Sequence, residues 1–450
     1  MKFVISFLLK SHCGKSYSAY RGLPTILFIS TIVCSSVFFF LILLHSNHIL
    51  AQDKGSQDYV YKDSNLQTDR QTILFELPSR EYILEFENPS VKDSLKRLVG
   101  KADSYTLEKA QSVMEKERTP PSGNKHDFLS LAPFRWPDYT KPNGIPYIYR
   151  DGETNPEVYT APDGAYMYKM IEKVKILSAA FYFTKNETYA FKASELLRVW
   201  FLNNDTYMNP NLQYAEVITG KNNGTRSGII AASYLPTILD SVTLIRDSPA
   251  WTDKDQRGIE LWLNKYLEWL LYSNFGKKES KALNNHGTWY DVQVSSIALF
   301  LNKTEITRMV LAKNLEGLIS MKIQPNGSQS FELPRSKSLD YHIFNLLGFF
   351  NLAKIGDKID IDLWNYQTPK GSGLLKALNY LLPYALGEKN WPQKQISPID
   401  MNKLHDLICE ALTHYENNEV LKQAFNSLDR KNITSETNAL IFGCVDSLVN

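Results

Sequence analysis

The stretch ETYAFKASELLRVWFL, residues 187–202, has the periodicity of an amphipathic helix. Its apolar residues recur at intervals of three and four, so at 3.6 residues per turn they fall on one face. The residues on that face are Tyr189, Ala190, Ala193, Leu196, Leu197 and Trp200. The stretch therefore predicts a helix that packs one side against other parts of the chain.

The same period recurs along most of the chain. Towards the N-terminus it begins near residue 76 and is clear in 90–115. Further helices are predicted at 165–184, 226–245, 254–273, 286–301, 304–321, 338–355, 372–386 and 401–416. Short turns with capping or helix-breaking residues separate them, so successive helices are expected to form antiparallel hairpins. Strong β alternation and internal repeats are both missing from the sequence, which predicts an all-α fold.

An all-α chain of hairpins can bury its apolar faces in two ways. It can stack as an open solenoid, or it can close into an α/α toroid, an incomplete α/α barrel. The periodicity favours neither. Three irregular segments, at 131–157, 205–225 and 324–336, favour the toroid, because a ring of hairpins gathers such loops at one end as a cleft. The first segment contains five prolines and many aromatic and basic residues, which is typical of a functional loop.

The N-terminal region differs from the rest. Residues 1–52 carry four basic and no acidic residues, and include the apolar run TILFISTIVCSSVFFFLILL at 25–44. A basic leader before an apolar run predicts an export signal peptide, with Ala51 near a cleavage point. The run is also long enough to span a bilayer, so an uncleaved membrane anchor remains an alternative. We therefore expect a periplasmic or secreted protein, or one anchored to a membrane and facing outwards.

The domain organisation follows from this leader. Residues 53–75 are expected to form a polar linker, and 76–450 a single helical domain. Of the 50 basic residues four lie in the leader, so the remainder has 46 basic against 48 acidic residues, a net charge of −2. This balance does not indicate nucleic-acid binding. Outside the leader, Cys409 and Cys444 either form a disulfide or remain free thiols.

Signatures of several enzyme classes are absent from the sequence. The histidines form no HExxH or paired-cysteine pattern, so no metal site and no cofactor are predicted. No GxSxG, P-loop or GxGxxG is present either. Two other segments carry the chemistry that can be identified.

The first of these segments is KALNNHGTWYDVQ at 281–293, and the second is ELPRSKSLDYHIFNL at 332–346. The first can be read as an ordinary helix start, with an asparagine as N-cap and Trp and Tyr facing the core. The second can be read as a solvated helix cap with a buried tyrosine. Together they supply Asn, His, Arg and Tyr without a matched pair of acids. That set suits β-elimination from a polyuronate, in which the sugar carboxylate is neutralised, a base removes the C5 proton and an acid protonates O4.

Hydrolysis of a glycoside would instead need two carboxylates in defined positions. Acidic residues such as Asp151 and Glu332 lie in the predicted loops, so a glycoside hydrolase on an α/α toroid remains an alternative. A non-catalytic carbohydrate-binding protein of helical hairpins is the second one.

These segments resemble a known family. NNHGTWYDVQ is similar to the Asn-Asn-His-x-x-Trp motif of the alginate lyase superfamily. The stretches FRWPDYTKPNGIPYIYRDGETNPE, QPNGSQSFELPRSKSLDYHIFNL and IDLWNYQTPKGSGLLKALNYLLPY resemble polysaccharide lyase family 38, which includes glucuronan and alginate lyases. The resemblance extends from about 95 to 400. It implies an α/α toroid, metal-independent β-elimination and an acidic polysaccharide as substrate.

The resemblance also implies roles for four residues. Asn285 and Arg335 would neutralise the substrate carboxylate, His286 would be the base or a further neutralising group, and Tyr341 the acid and also, in one version, the base. The related mannuronate-specific lyases of family five share the Asn-His and Arg…Tyr-His elements, but their Arg-to-Tyr stretch differs slightly from RSKSLDY here. This leaves the division of roles between His286 and Tyr341 open. A tyrosine near Arg and His is expected to have a lowered pKa.

Further residues are expected to contact the substrate. Aromatic rings can stack on sugars, and cations and amides can bind the carboxylates of neighbouring units. The candidates are Trp136, Lys141, Tyr149, Arg150, Arg226, Asn284, Tyr290, Lys337 and His342.

Overall fold

The computed structural model describes residues 71–85, 88–427 and 436–443, all within a compact unit, Asp69–Asn450. The predicted leader and most of the predicted linker lie outside the described residues. Helices dominate this part of the chain. They are α1 (Arg80–Glu85), α2 (Pro89–Thr106), α3 (Asp163–Thr184), α4 (Glu187–Leu197), α5 (Pro236–Ile245), α6 (Asp253–Tyr272), α7 (Asn274–Glu279), α8 (Asn285–Phe300), α9 (Thr304–Lys313), α10 (Ile319–Lys322), α11 (Ser338–Asp357), α12 (Leu374–Ala385), α13 (Met401–His414), α14 (Glu419–Ser427) and α15 (Glu436–Ile441).

Seven of these helices form a closed ring. In the order α2, α3, α5, α8, α11, α13, α15, each helix packs against the next, and α15 packs back against α2. Helices α4, α9 and α14 each pack beside the ring helix that precedes them, as expected for hairpins with short connections. Helices α8 and α11 are buried around most of their circumference, which is typical of a helix enclosed by neighbours. Their first residues carry the two segments that the sequence analysis singled out.

Several helix starts follow from local sequence. Thr252 and Asp255 form a reciprocal capping box at the start of α6, and Asn186 and Asp400 cap α4 and α13. Such caps satisfy backbone N–H groups that have no partner inside the helix.

The predicted helix at 226–245 is interrupted. Arg226–Ala232 form 3₁₀ turns, and α5 begins only at Pro236. The 3₁₀ turns pack closely against the preceding strand, because a Cβ on Gly228 would lie 2.5 Å from the Cβ of Ala215. Only glycine therefore fits at this position.

Two small sheets, which the sequence did not predict, lie in the irregular segments. Strand β1 (Leu129–Leu131) pairs in parallel with β4 (Tyr214–Val217), and β2 (Arg135–Trp136) pairs antiparallel with β3 (Ile148–Tyr149). The β1–β4 pair ties segment 131–157 to segment 205–225. These strands have two to four residues, too few for alternation to be read from the sequence.

The predicted linker at 53–75 is wrong at its C-terminal end. Ile73, Leu74 and Phe75 are buried, and their backbone N–H groups donate to the buried carboxylate of Asp240 at 2.6, 2.7 and 2.8 Å. Residues 73–75 are thus part of the helical unit.

The structure describes one of the two cysteines outside the leader. Cys409 is buried in α13 and takes part in a disulfide bond. Cys444, its predicted partner, lies outside the described residues.

Candidate active site

A cleft of about 310 Å³ opens where the irregular segments meet the start of α8. Its walls come from the β1–β2 connection, β3, β4, the 3₁₀ turns after Thr225 and the segment before α11. The polar residues that line it are Arg135, Tyr149, Glu216, Thr225, Arg226, Ser227, Asn284, His286 and Arg335. Five of the residues predicted from sequence lie in this lining, namely Tyr149, Arg226, Asn284, His286 and Arg335.

The start of α8 is held by a glutamate from another segment. Asn284 occupies the N-cap position but its side chain makes no capping hydrogen bond. Instead the backbone N–H of Asn285 donates to Glu332 Oε1 at 2.6 Å. Glu332 is buried, and burial raises its pKa. Hydrogen bonds from the backbone and the side chain of Asn285, and the charge of Arg335, act in the opposite direction. Asn284 therefore occupies the expected N-cap position, but the expected capping by its side chain is wrong.

The two asparagines divide their roles differently from the prediction. Asn285 is 1% exposed, and its amide Nδ2 donates to Glu332 Oε1 and Oε2 at 3.1 and 2.9 Å. The amide is thereby bound to the Glu332 carboxylate. Asn284 lines the cleft, whereas Asn285 is bonded to Glu332 at the helix start.

His286 is oriented by a buried carboxylate that the sequence analysis missed. Its Nδ1 lies 2.7 Å from Oε1 of Glu279, whose side chain is fully buried. The other oxygen of Glu279 accepts from Nη1 of Arg226. With the carboxylate accepting from Nδ1–H, Nε2 is left as the ring atom with a free lone pair. This geometry equips His286 to remove a proton.

Arg335 is clamped by Asp151 across the cleft wall. Its Nε and Nη2 donate to Asp151 Oδ1 at 3.2 and 2.9 Å, and the hydroxyl of Tyr149 donates to the same oxygen at 2.7 Å. Although burial opposes it, hydrogen bonds from Arg335, the backbone N–H of Ser336 and Tyr149 hold the pKa of Asp151 well below its usual range. Asp151 is therefore a permanent anion, and it fixes the direction of the guanidinium.

The approach of the Asp151 turn requires a glycine. Gly152 has a φ of +76°, and a Cβ there would lie 2.2 Å from the hydroxyl of Ser336. Any side chain at 152 would separate Asp151 from Arg335.

Tyr341 lies beside the cleft, under Arg335. The guanidinium carbon of Arg335 is 3.9 Å from the centroid of the Tyr341 ring. Burial raises the pKa of Tyr341 to about 12, and the charge of Arg335 offsets this only in part. The expected lowering of this pKa is therefore wrong, because removal from water outweighs the neighbouring cation. Tyr341 is a protonated phenol at neutral pH, suited to act as an acid.

Two predicted binding residues are instead part of the core. Tyr290 is 4% exposed, and its hydroxyl donates to the carbonyl of Leu270 at 2.9 Å. His342 is fully buried. Its Nδ1 donates to the carbonyl of Ser338 and its Nε2 accepts from the N–H of Gln329, while burial lowers its pKa to about 4. Since their polar atoms are occupied inside the protein, the prediction that these two contact substrate is wrong.

The remaining predicted binding residues are not part of the cleft lining. Arg150 stacks 5.1 Å from the ring of Trp136, whose Nε1 donates to the carbonyl of Glu153. Lys141 is half-exposed and pairs with Asp138 at 3.3 Å, and Lys337 forms a backbone bridge to Gln395. Their contact with a long ligand stays a prediction.

Four residues shape the site in ways that the sequence did not predict. Glu279 lies seven positions before His286 and orients it, and Asp151, considered only as an acid of a hydrolase, holds Arg335. Arg135 and Glu216 line the cleft. No local motif marks any of them. Within the ranges that the structure describes, no cluster of three or more His, Cys, Asp or Glu residues is arranged to hold a metal ion.

The closed ring of helices and the cleft at the start of α8 place the protein among the α/α-toroid polysaccharide lyases, which confirms the predicted fold. The family model for alginate lyases matches residues 112–391, more than half of the sequence, and the chain belongs to the alginate lyase family. No curated protein sequence matches the chain significantly.

Solved structures agree with this assignment. An alginate lyase from Bacteroides ovatus matches with a TM-score of 0.76 and 31% identity, over 82% of this chain and 99% of that one. Alginate lyase A1-III from Sphingomonas species A1 matches with a TM-score of 0.51 and 16% identity, over 76% and 87%. A variant of A1-III in complex with a tetrasaccharide gives 0.51 and 15%, over 76% and 86%. The last two support the fold alone.

Proposed function

We propose that this lyase cleaves a 1,4-linked polyuronate, alginate or glucuronan, by metal-independent β-elimination, as in polysaccharide lyase family 38. The observation that carries the proposal is that His286, oriented by Glu279, and Arg335, stacked on Tyr341, line one cleft. These groups are a base, a cation and an acid, which are the three that the reaction needs.

Arg335 and Asn284 bind the C6 carboxylate of one uronate and neutralise its charge. This lets negative charge develop on that carboxylate when the C5–H bond breaks, because an enolate-like charge is stabilised by fixed donors in a site with little water. The guanidinium can do so while held by Asp151, because Asp151 accepts only from Nε and Nη2. The third nitrogen, Nη1, lies 4.0 Å from Glu332 Oε2, which is too long for a hydrogen bond, so it can donate to the substrate.

The bond changes then follow in order. His286 Nε2 takes the C5 proton, the electron pair of the C5–H bond forms the C4=C5 double bond, and the C4–O4 bond breaks. The hydroxyl of Tyr341 protonates O4 as it leaves. The product has a 4,5-unsaturated uronate at its new end, and a proton passes from the imidazolium back to the tyrosinate through solvent to restore both groups.

The hydrolase alternative has less support from the site. It requires an ionised carboxylate and a protonated one, both free to face a glycosidic bond. Asp151 is held by Arg335 and Ser336, and Glu332 is fully buried and bonded to Asn285. Neither is free for that role.

One assay separates the three alternatives. The protein is incubated with polymannuronate, polyguluronate and glucuronan, and ultraviolet absorbance and reducing ends are followed. The lyase produces a conjugated end that absorbs in the ultraviolet, a hydrolase gives reducing ends without absorbance, and a binding protein gives neither. Tyr341→Phe is expected to fold normally and to lose at least about 10²-fold in kcat, and an unchanged rate would contradict the acid role. EDTA is expected to leave the wild-type rate unchanged.

We further propose that the enzyme is exported by its N-terminal leader to the periplasm or the medium. The support is the basic, acid-free segment 1–52 with its apolar run. N-terminal sequencing and membrane fractionation of the expressed full chain test this. A mature N-terminus near residue 52 in the soluble fraction supports cleavage, whereas an intact chain in the membrane fraction supports the anchor.

A further inference from the structure

The cleft contains a negatively charged side chain, which would repel an acidic polysaccharide. Among the described residues that line the cleft, Glu216 is the one with an acidic side chain, and the cations Arg135, Arg226 and Arg335 line the same cleft. A carboxylate in a cleft for a polyanion repels the ligand through space. Its presence therefore points to a specific contact that outweighs this repulsion.

The carboxylate of Glu216 is fixed by one oxygen only. Its Oε2 accepts hydrogen bonds from Thr225 Oγ1 at 3.0 Å and from Ser227 Oγ at 2.6 Å. Its Oε1 accepts no hydrogen bond from any residue in the described part of the chain. Because Thr225 and Ser227 line the cleft as well, the side chain is held at the cleft wall with one acceptor oxygen unused.

The backbone of Glu216 is strained, and the surrounding structure holds it in place. Its φ is +53°, a left-handed conformation that costs energy for any residue other than glycine. The residue belongs to β4, at the register shift opposite β1, and its N–H donates to the hydroxyl of Ser130 at 3.0 Å. Such strain is often kept at functional sites, where it aims a side chain.

We propose that Glu216 is a specificity-determining residue that binds a ring hydroxyl of the uronate through Oε1. This inference rests on the proposed function. In an internal unit of a 1,4-linked polyuronate, O1 and O4 form glycosidic bonds and C6 carries the carboxylate. The O–H donors that remain are those on O2 and O3. The uronate ring therefore binds with its carboxylate at Arg335 and its O2–O3 edge at Glu216.

This assignment predicts how the enzyme treats esterified substrate. Acetylation of O2 or O3 removes the hydroxyl donor and adds only acceptor atoms, which Glu216 repels. A buried or constrained acceptor left without a donor costs binding energy. O-acetylated polyuronate is thus a poor substrate, and the reaction that supplies this enzyme is a de-O-esterification.

The test compares the wild type with Glu216→Gln on one polyuronate, before and after chemical O-acetylation. Glutamine keeps the size of the side chain and one oxygen to accept from Thr225 and Ser227, but it presents an N–H donor to the cleft. The wild type is expected to prefer the free polymer by at least about tenfold in kcat/KM, and Glu216→Gln to reduce this preference towards one. The matched control is Glu305→Gln on an exposed position of α9, which is expected to keep the wild-type preference.

The outcomes are separable. If the wild type produces unsaturated ends from free polymer and Glu216→Gln has the same preference as the wild type, the inference is overturned while the lyase function stands. If the wild type produces no unsaturated ends from any free polyuronate, the proposed function and the inference both fail. Should Glu216→Gln not fold, Glu216→Gly relieves the positive φ, removes the carboxylate and is expected to lose the preference in the same way.

Discussion

Tyr341 is subject to two opposing effects on its pKa, and their balance decides its chemistry. The stacked Arg335 favours the phenolate, but burial disfavours it more and raises the pKa to about 12. The group is therefore protonated at neutral pH.

A pH profile tests this assignment. If Tyr341 is the acid, kcat is expected to stay within about twofold from neutral pH up to about pH 10, because the phenol keeps its proton until pH approaches its pKa. If Tyr341 were instead the base, kcat would rise about tenfold per pH unit over this range. The rate of ultraviolet product formation at saturating substrate measures the difference.

Glu279 acts through His286 rather than on the substrate. Its buried carboxylate accepts from Nδ1 and stabilises the imidazolium that forms when Nε2 takes a proton. Glu279→Gln is expected to lower kcat about 10²-fold or more with KM little changed. Glu305→Gln, exposed on α9, serves as the matched control. A kcat like that of the wild type in a folded Glu279→Gln protein would argue against this positioning role.

Among the elements, the turn after β3 is held against the segment before α11 by the close approach of Gly152 to Ser336. Asp151 reaches Arg335 because Gly152 lacks a side chain that would meet Ser336. Gly152→Ala is expected to lower kcat/KM at least about tenfold, since the carboxyl clamp moves away from the guanidinium. Steady-state kinetics and thermal unfolding of the same variant measure this.

Gly123→Ala is the matched control for that change. Gly123 also has a positive φ, +80°, but a Cβ there meets no atom within 4 Å. It carries the same backbone strain without the collision. Equal activity losses in the two variants would show that strain, not the clamp, is responsible.

Element boundaries were predicted well where they depend on local chemistry. The predicted 254–273 and 338–355 correspond to α6 and α11 within two residues, because caps and apolar periodicity are local signals. The short strands and the break before Pro236 were missed. The β1–β4 pair arises from contacts between segments distant in sequence, which no single window contains. The break was marked locally by Pro236 in the first turn of α5.

At the scale of the whole molecule, the segment before α1 is joined to the ring by Asp240. Asp240→Ala leaves the N–H groups of 73–75 buried without an acceptor. The free energy of unfolding is expected to fall by about 3 kcal/mol or more, measured by denaturant unfolding. Asp240→Asn keeps one acceptor oxygen and is expected to lose less. Asp205→Ala, at an exposed position, is expected to change little. Equal stability of Asp240→Ala and wild type would contradict this role for the carboxylate.

Periodicity, caps and motif residues are encoded locally, so the helical class, most helix positions and the two segments that carry His286 and Tyr341 could be predicted from sequence. The folded chain was needed to show that Glu279 orients His286, that Asp151 holds Arg335, and that Asn284 rather than Asn285 lines the cleft. It also decided that Tyr290 and His342 belong to the core. The physical reason is that burial and the partners of a polar group depend on which distant segments meet, and these set both its direction and its pKa.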